Sequence, residues 1–253
     1  MNILFTICGR SGSKGLKNKN LKKLNGIPLV YYTLSAIKLY QEAHPTDDVT
    51  VAVNTDSREL LEMIRVQKTI FNIREVERKE ELAGDRTAKV EVVKDTYFEC
   101  RKQMIFDAVV DLDLTSPMRK LGDIEAAVKA LKEDKECDLV FSVVHARRSP
   151  YFNMVEKQKQ YYRKICPSHY TARQEAPAVY ELNASIYAYA PEFLEKNIDK
   201  TILEYNCGIV EMEDYLVLDI DSEEDFIRMS VLIDYFGQKD KELRRVIALA
   251  KEL

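Results

Sequence analysis

The residues best suited to chemistry stand in two clusters far apart in the chain. In the first, Gly9, Gly12 and Gly15 alternate with Ser11 and Ser13, and Arg10, Lys14, Lys17 and Lys19 run through the same loop. Glycines reach φ > 0 without steric cost and let backbone N–H groups turn toward a ligand. The cations neutralise a polyanion, so the pattern describes a phosphate cradle. It matches neither GxGxxG nor GxxxxGK[ST], and a solvated basic loop would share its composition. In the second cluster, Asp219-Ile220-Asp221 places two carboxylates on one face of an extended segment, with Ile220 toward the core. Two hard oxygen ligands at that spacing make a Mg²⁺ half-site, which phosphate oxygens and water would complete. Ser222 and Asp225 also form a capping box, which gives Ser222 and Asp221 a second reading as cap residues.

These clusters need a scaffold. The apolar run Ile3 to Cys8 reads as a buried first strand, so the basic loop falls at its carboxyl end, where open α/β sheets bind ligands. Pro28 to Glu42 carries apolar residues at helical spacing after the Asn25-Gly26 turn. Val49 to Val53 reads as the second strand, Ser57 as the cap of a helix through about Gln67, and Ile70 to Ile73 as a third strand. Asp85 or Thr87 is the expected cap of a helix over Ala88 to Met104. Further strands are expected at Ala108–Leu112, Leu139–Val144, Ser185–Tyr189 and Leu216–Leu218. Helices are expected at Gly122–Asp134, Pro191–Asn197, Glu223–Phe236 and Lys239–Leu253. This alternation argues for α/β architecture with a doubly wound, mostly parallel sheet.

Residues 146–180 break the pattern. They are rich in Arg, Tyr, Gln and Pro, with little periodicity. A loop that long inside a compact domain is usually functional or interfacial.

Composition narrows the classes. With 253 residues, 46% of them hydrophobic, the chain is long enough for one α/β domain with a full core. A net charge of -4 argues against nucleic acid and membrane surfaces as partners and makes the basic loop a local feature. No apolar run approaches a membrane span, and the N-terminus lacks the pattern of a signal peptide. Five scattered cysteines without a CxxC pair read as reduced thiols, so the expected compartment is the cytoplasm.

The loop Gly9-Arg-Ser-Gly-Ser-Lys-Gly-Leu-Lys-Asn-Lys-Asn20 resembles the signature of the acylneuraminate cytidylyltransferases, the CMP-sialic acid synthetase family, which reads A-R-x-x-S-K-G-L-x-x-K-N. Gly9 stands where the family has alanine. Three further blocks follow in the family's order. Arg78, Glu81, Leu82, Ala83, Asp85 and Thr87 match R-x-x-E-L-A-x-D-x-T. Thr115, Ser116, Pro117 and Arg119 match Q-P-T-S-P-L-R, but Asp113 replaces the glutamine and Leu114 the first proline. Asp219, Ile220, Asp221, Asp225 and Phe226 match D-I-D-x-x-x-D-F. Between the last two blocks, Arg173-Gln174 and Asn183-Ala184-Ser185-Ile186-Tyr187 resemble R-Q…N-G-x-I-Y, with Ala184 for glycine. The Leu112-Asp113-Leu114 form, with Ala146 to Asn153, resembles the branch acting on legionaminic-type sugars in flagellin modification.

The resemblance implies a Rossmann-like nucleotide-diphospho-sugar transferase fold, with residues 146–182 as an inserted dimerisation and substrate arm on a single nucleotidyltransferase domain. It implies a cytidylyltransferase joining CTP to a nine-carbon 2-keto acid sugar, giving a CMP-sugar and pyrophosphate, with Mg²⁺ as cofactor. Arg10, Lys14 and Lys19 would hold the triphosphate. Gly9, Ser11, Gly12, Ser13, Asn20, Arg78, Asp85, Thr87 and Ala88 would contact the nucleotide. Asp113, Ser116, Arg119, Arg173, Gln174 and Asn183 would face the sugar, and Asp219 and Asp221 the metal. Arg173 is a candidate carboxylate clamp, with a structural ion pair as the competing reading. Asp113 would accept hydrogen bonds from sugar hydroxyls or reach the metal.

Three alternatives remain at this level. One is another sugar nucleotidyltransferase, such as a CMP-3-deoxy-octulosonate synthetase. A second is a metal-dependent glycosyltransferase using Asp111-Leu112-Asp113 as its D-x-D. The third is a non-catalytic nucleotide-binding protein.

Overall fold

The computed structural model of the protein describes residues 1–12, 15–84 and 86–253. Its elements run β1 (Asn2–Cys8), a small hairpin of β2 (Lys23–Leu24) and β3 (Ile27–Pro28), α1 (Leu29–Ala43), β4 (Asp48–Thr55), α2 (Arg58–Arg65) and β5 (Asn72–Glu77). Then come α3 (Lys89–Arg101), β6 (Ala108–Leu112), α4 (Leu121–Glu133) and β7 (Leu139–His145). A second hairpin, β8 (Val155–Gln158) and β9 (Tyr161–Lys164), precedes β10 (Tyr180–Tyr189), α5 (Pro191–Glu195), β11 (Cys207–Glu211), α6 (Glu223–Lys239) and α7 (Lys241–Glu252).

Seven strands form the main sheet in the order β11-β7-β10-β6-β1-β4-β5. Every pairing is parallel except those of β10, which runs antiparallel to β6 and β7. Both faces are covered, and the alternation of β1 shows how. Ile3, Phe5 and Ile7 enter one core cluster, shared with α1, α2, α4, α6 and α7, while Leu4 enters another, shared with α3 and α5. All four are 0% exposed. Side chains of that size contribute roughly 1.5–3 kcal/mol each on full burial. This explains why β1 reads as an unbroken apolar run.

The chain passes from β1 to β4 and β5 on one side, then crosses to β6 on the other. Between β1 and β6 lies the switch point of the sheet, where its carboxyl edge opens a crevice.

Several element boundaries depart from the sequence expectation. The third strand starts at Asn72 instead of Ile70, because the N–H groups of Ile70 and Phe71 turn back to the Gln67 carbonyl at 3.0 Å each. Residues 216–218 are not a strand. Asp214–Leu216 is a 3-10 turn that the chain leaves through Val217, still in the helical region, before Ile220 N–H donates to the Thr115 carbonyl at 2.9 Å. The edge strand is β11 instead, pairing parallel with β7. Ser57 and Ser222 cap α2 and α6 through their side chains. For α3 the cap residue is Ala88, which offers no side-chain cap, while the Thr87 hydroxyl donates to the Glu81 carbonyl at 3.4 Å.

Strand β10 contains a bulge, where its register against β7 shifts between Leu182 and Tyr187. Ala184 sits there at φ +53, in the left-handed region. A Cβ in that region costs roughly 1–2 kcal/mol, part of which glycine gives back as unfolded-state entropy. Ala184→Gly is therefore expected to stabilise the fold by about 1 kcal/mol, a rise of about 2–4 °C in a thermal melt. An unchanged or lower melting temperature would show that the strain is relieved elsewhere.

Candidate active site

A cleft of about 560 Å³ opens at the carboxyl edge beside β1 and β6. Cys8, Arg10, Gly15, Leu16, Lys19 and Asn20 line it from the end of β1 and the loop that follows. Arg78, Leu82, Gly84 and Thr87 come from the segment between β5 and α3. Lys89 and Val92 come from α3, Asp113 and Thr115 follow β6, and Asp221 precedes α6.

The basic loop is anchored at both ends. Gly9 N–H donates to the Asn54 carbonyl at 3.2 Å, and the buried Asn20 amide donates to the Arg10 carbonyl at 3.0 Å. A Cβ at Gly9 would lie 2.7 Å from Leu60 Cδ2 and 2.8 Å from Leu114 Cδ1. Ser11 is committed to Asp56, its N–H and hydroxyl each donating to that carboxylate at 2.6 Å. Burial raises the Asp56 pKa, but the two Ser11 bonds outweigh it and hold the carboxyl below its usual range. Gly12 takes φ +73, and among the described residues no atom lies within 4 Å of where its Cβ would stand. Gly15 is needed for a close approach, since a Cβ there would lie 2.3 Å from the Asp221 carbonyl oxygen. Lys19 spans the same seam, its Nζ donating to the Ile220 carbonyl at 2.9 Å and to Asp221 Oδ1 at 2.8 Å. Arg10 Nη1 reaches the Ala83 carbonyl at 3.3 Å. Ser13, Lys14 and Asp85 lie outside the described residues.

Arg78 lines the cleft but is buried at 8% exposure, donating through Nε to Asn54 Oδ1 at 2.8 Å and through Nη2 to the Asn54 carbonyl at 3.1 Å. It stiffens the wall on which Leu82, Gly84 and Thr87 stand. Ala88 is exposed at the start of α3.

Three expected sugar ligands go elsewhere. Arg119 is 0% exposed, and its guanidinium donates to Ser185 Oγ, Thr33 Oγ1 and the carbonyls of Asp113 and Ser116. Burial lowers its pKa to about 10. Ser116 donates to the Asn183 carbonyl at 3.2 Å. The Asn183 amide bridges the β10 bulge, accepting from Ser142 Oγ at 2.6 Å and donating to the Leu216 carbonyl at 3.0 Å. None of the three is among the residues lining the cleft, and through these contacts they shape the floor beneath Asp113. Arg173 and Gln174 are exposed in a 3-10 turn and do not line the cleft of their own chain.

One residue escaped the sequence reading. Lys89 Nζ forms ion pairs with Asp111 Oδ2 at 2.9 Å and with Asp113 Oδ2. Asp111 is 0% exposed and also accepts from Thr6 Oγ1 at 2.8 Å, so Asp111-Leu112-Asp113 is not an open D-x-D. The sequence offers only an indirect signal: two carboxylates at the end of a buried strand need a cation, without saying which residue supplies it.

Asp219 and Asp221 flank the buried Ile220. Burial first, then the charges of Asp221 and Asp113, raise the Asp219 pKa, so this corner carries an excess of negative charge. Among the described residues, no group of three or more His, Cys, Asp or Glu converges as a metal site. Two carboxylate oxygens are the donor set of a hard cation that takes its other ligands from phosphate and water.

The family model described as cytidylyltransferase matches residues 4–243. Post-translational flagellin modification protein B of Campylobacter coli is 34% identical, over 96% of this chain and 97% of its own length. The CMP-N,N'-diacetyllegionaminic acid synthase of Campylobacter jejuni is 35% identical, over 95% and 98%. A solved CMP-2-keto-3-deoxy-manno-octonic acid synthetase, complexed with CTP, superposes with a TM-score of 0.65 at 15% identity, covering 93% of this chain and all of that one, which shows a shared fold. The chain belongs to the cytidylyltransferase family.

Proposed function

We propose that this chain activates a nonulosonic acid of the legionaminic type with CTP, giving the CMP-sugar and pyrophosphate. The observation carrying this reading is the cleft itself. A glycine-rich loop with Arg10 and Lys19 faces Asp221, the second carboxylate of the Asp219-Ile220-Asp221 run, at the switch point of the sheet, in a chain 35% identical over nearly its whole length to a CMP-legionaminic acid synthase.

In this reading CTP lies across the carboxyl edge, with its base against Leu82, Gly84, Thr87 and Ala88, which the Arg78–Asn54 contact holds in place. Arg10, Lys14 and Lys19 hold the triphosphate. The anomeric hydroxyl attacks the α-phosphorus in line. A new oxygen–phosphorus bond forms, the bond to pyrophosphate breaks, and the hydroxyl proton is released. Asp219 and Asp221 are the residues suited to hold Mg²⁺, which when bound supplies charge neutralisation at the α-phosphate and the departing pyrophosphate. The chain's own contribution is positioning and electrostatic preorganisation.

The arm supports a homodimer. Around the β8–β9 hairpin it exposes Val155, Tyr161, Tyr162 and Ile165, apolar side chains close together on one segment. Arg173 and Gln174 sit on the same arm, outside their own cleft, and in a dimer would serve the neighbouring site. Sedimentation equilibrium is expected to give twice the 29.3 kDa chain mass, and a single-chain mass would remove the dimer.

The deciding assay is pyrophosphate release with Mg²⁺ and each of CTP, UTP, GTP and ATP, against sialic, legionaminic, pseudaminic and 3-deoxy-octulosonic acids. Release with CTP and legionaminic acid is expected. Release only with 3-deoxy-octulosonic acid would move the chain to the other branch, and release with none would overturn the reading.

A further inference from the structure

Asp113 departs from the glutamine of the resembling family, and the structure shows what accompanies the change. Its carboxylate offers about four lone-pair positions. Thr115 N–H and Thr115 Oγ1 fill those of Oδ1, at 2.7 and 2.6 Å, and Lys89 fills one on Oδ2. One acceptor position on Oδ2 remains, on a side chain that is 21% exposed and faces the cleft. Lys89 has three N–H donors. One goes to Asp113, while the contact with Asp111 at 2.9 Å is an ion pair without a hydrogen bond, so donor capacity remains on an ammonium that lines the cleft 5.7 Å from the centre of the Tyr187 ring.

Three occupants of this corner can be compared. A divalent cation is disfavoured, because most of the Asp113 acceptor capacity is spent and a lysine ammonium stands against it. A triphosphate is disfavoured by the carboxylate, which stays ionised because Lys89 and Thr115 outweigh its burial. A polyhydroxylated or N-acylated sugar fits, since hydroxyl and amide N–H groups meet the free acceptor and a ring or carboxylate oxygen meets the free donor. The corner also lies on the β10 side of the crevice, where Asp113 N–H donates to the Ser185 carbonyl at 3.2 Å, and not on the Arg78 side.

Resting on the function proposed above, we propose that Lys89 is a positioning residue that fixes Asp113 as a hydrogen-bond acceptor for the acid sugar and keeps it from the metal. The Lys89–Asp113 pair thereby selects a sugar bearing a hydroxyl or amide donor at the contacted position.

The test is steady-state kinetics of pyrophosphate release by the full chain, with KM measured separately for CTP and the acid sugar. Asp113→Asn keeps the shape, the Thr115 contact and the Lys89–Asp111 pair while removing the anion. It is expected to raise the acid-sugar KM at least tenfold, with the CTP KM within twofold and the Mg²⁺ half-saturation unchanged. Lys89→Met is expected to give the same signature. If it does not fold, because Asp111 is left buried without its cation, Asp113→Asn decides alone. When both fold, Lys89→Met with Asp113→Asn should be no more than twofold worse than the worse single variant, since one acts through the other. An unchanged acid-sugar KM, a CTP KM rising in step, a shifted Mg²⁺ dependence or effects that multiply would overturn the inference. A wild-type chain that releases pyrophosphate with no acid sugar overturns the proposed function, and the inference with it. An active wild type with unaffected variants overturns the inference alone.

Discussion

Lys19→Ala is expected to cut kcat by roughly 30- to 1000-fold, corresponding to about 2–4 kcal/mol of lost transition-state stabilisation for a preorganised donor. Fold should be retained. Its ion pair with Asp221 is largely solvent-exposed on the acid's side, at 73%, and such pairs contribute about 0–1 kcal/mol to stability. The melting temperature should therefore move little while turnover falls. That contrast separates a residue placed for catalysis from one placed for structure. Lys19→Arg keeps the charge but cannot reproduce a compact ammonium shared between the Ile220 carbonyl and Asp221, so only partial recovery is expected. Near-normal kcat in Lys19→Ala would remove the residue from the reaction.

Asp219→Asn combined with Asp221→Asn is expected to abolish both turnover and its dependence on Mg²⁺. The apo protein should not suffer. The folded-state pKa of Asp219 is raised by burial and by the neighbouring carboxylates Asp221 and Asp113. A group raised in the folded state contributes stability below its unfolded pKa and loses it as pH rises through the folded value, so at neutral pH the ionised Asp219 is a burden. Neutral amides relieve that repulsion. The double variant should melt at or above the wild-type temperature at pH 7 while being inactive. A variant that still responds to Mg²⁺ titration would place the metal elsewhere.

The sheet was legible in the sequence because strands covered on both faces are predominantly apolar, as β1, β4 and β6 are, with only a few buried polar residues among them. Strand β11 was not, because Cys207–Glu211 lies at the sheet edge and only Val210 is buried, leaving no run to detect. The apolar triplet at 216–218 misled for the converse reason. Leu216 is buried as the end of a 3-10 turn whose carbonyl receives the Asn183 amide. In the site, glycine spacing and the paired aspartates were readable from residue type alone. Arg119 and Asn183 were read as ligands because a motif gives residue identity without burial. Whether a guanidinium points into a cleft or under it is decided by the packing of β10, a strand more than 60 residues away in the chain. Lys89 has no signature of its own. Its role follows only once Asp111 and Asp113 are known to share one buried corner.

The contacts of Gly9 bear on how such a sequence can change over time. Leu60 and Leu114 are 0% and 1% exposed, and their methyl groups fill the volume that an alanine methyl would take at position 9. Positions 9 and 114 are also two of those at which the chain departs from the pattern of the resembling family. The departures are therefore coupled by sterics. A methyl at position 9 would require the side-chain ends of Leu60 and Leu114 to move. Swapping this loop alone between relatives would bring a side chain at position 9 against Leu60 and Leu114, a contact that the loop's own sequence does not reveal.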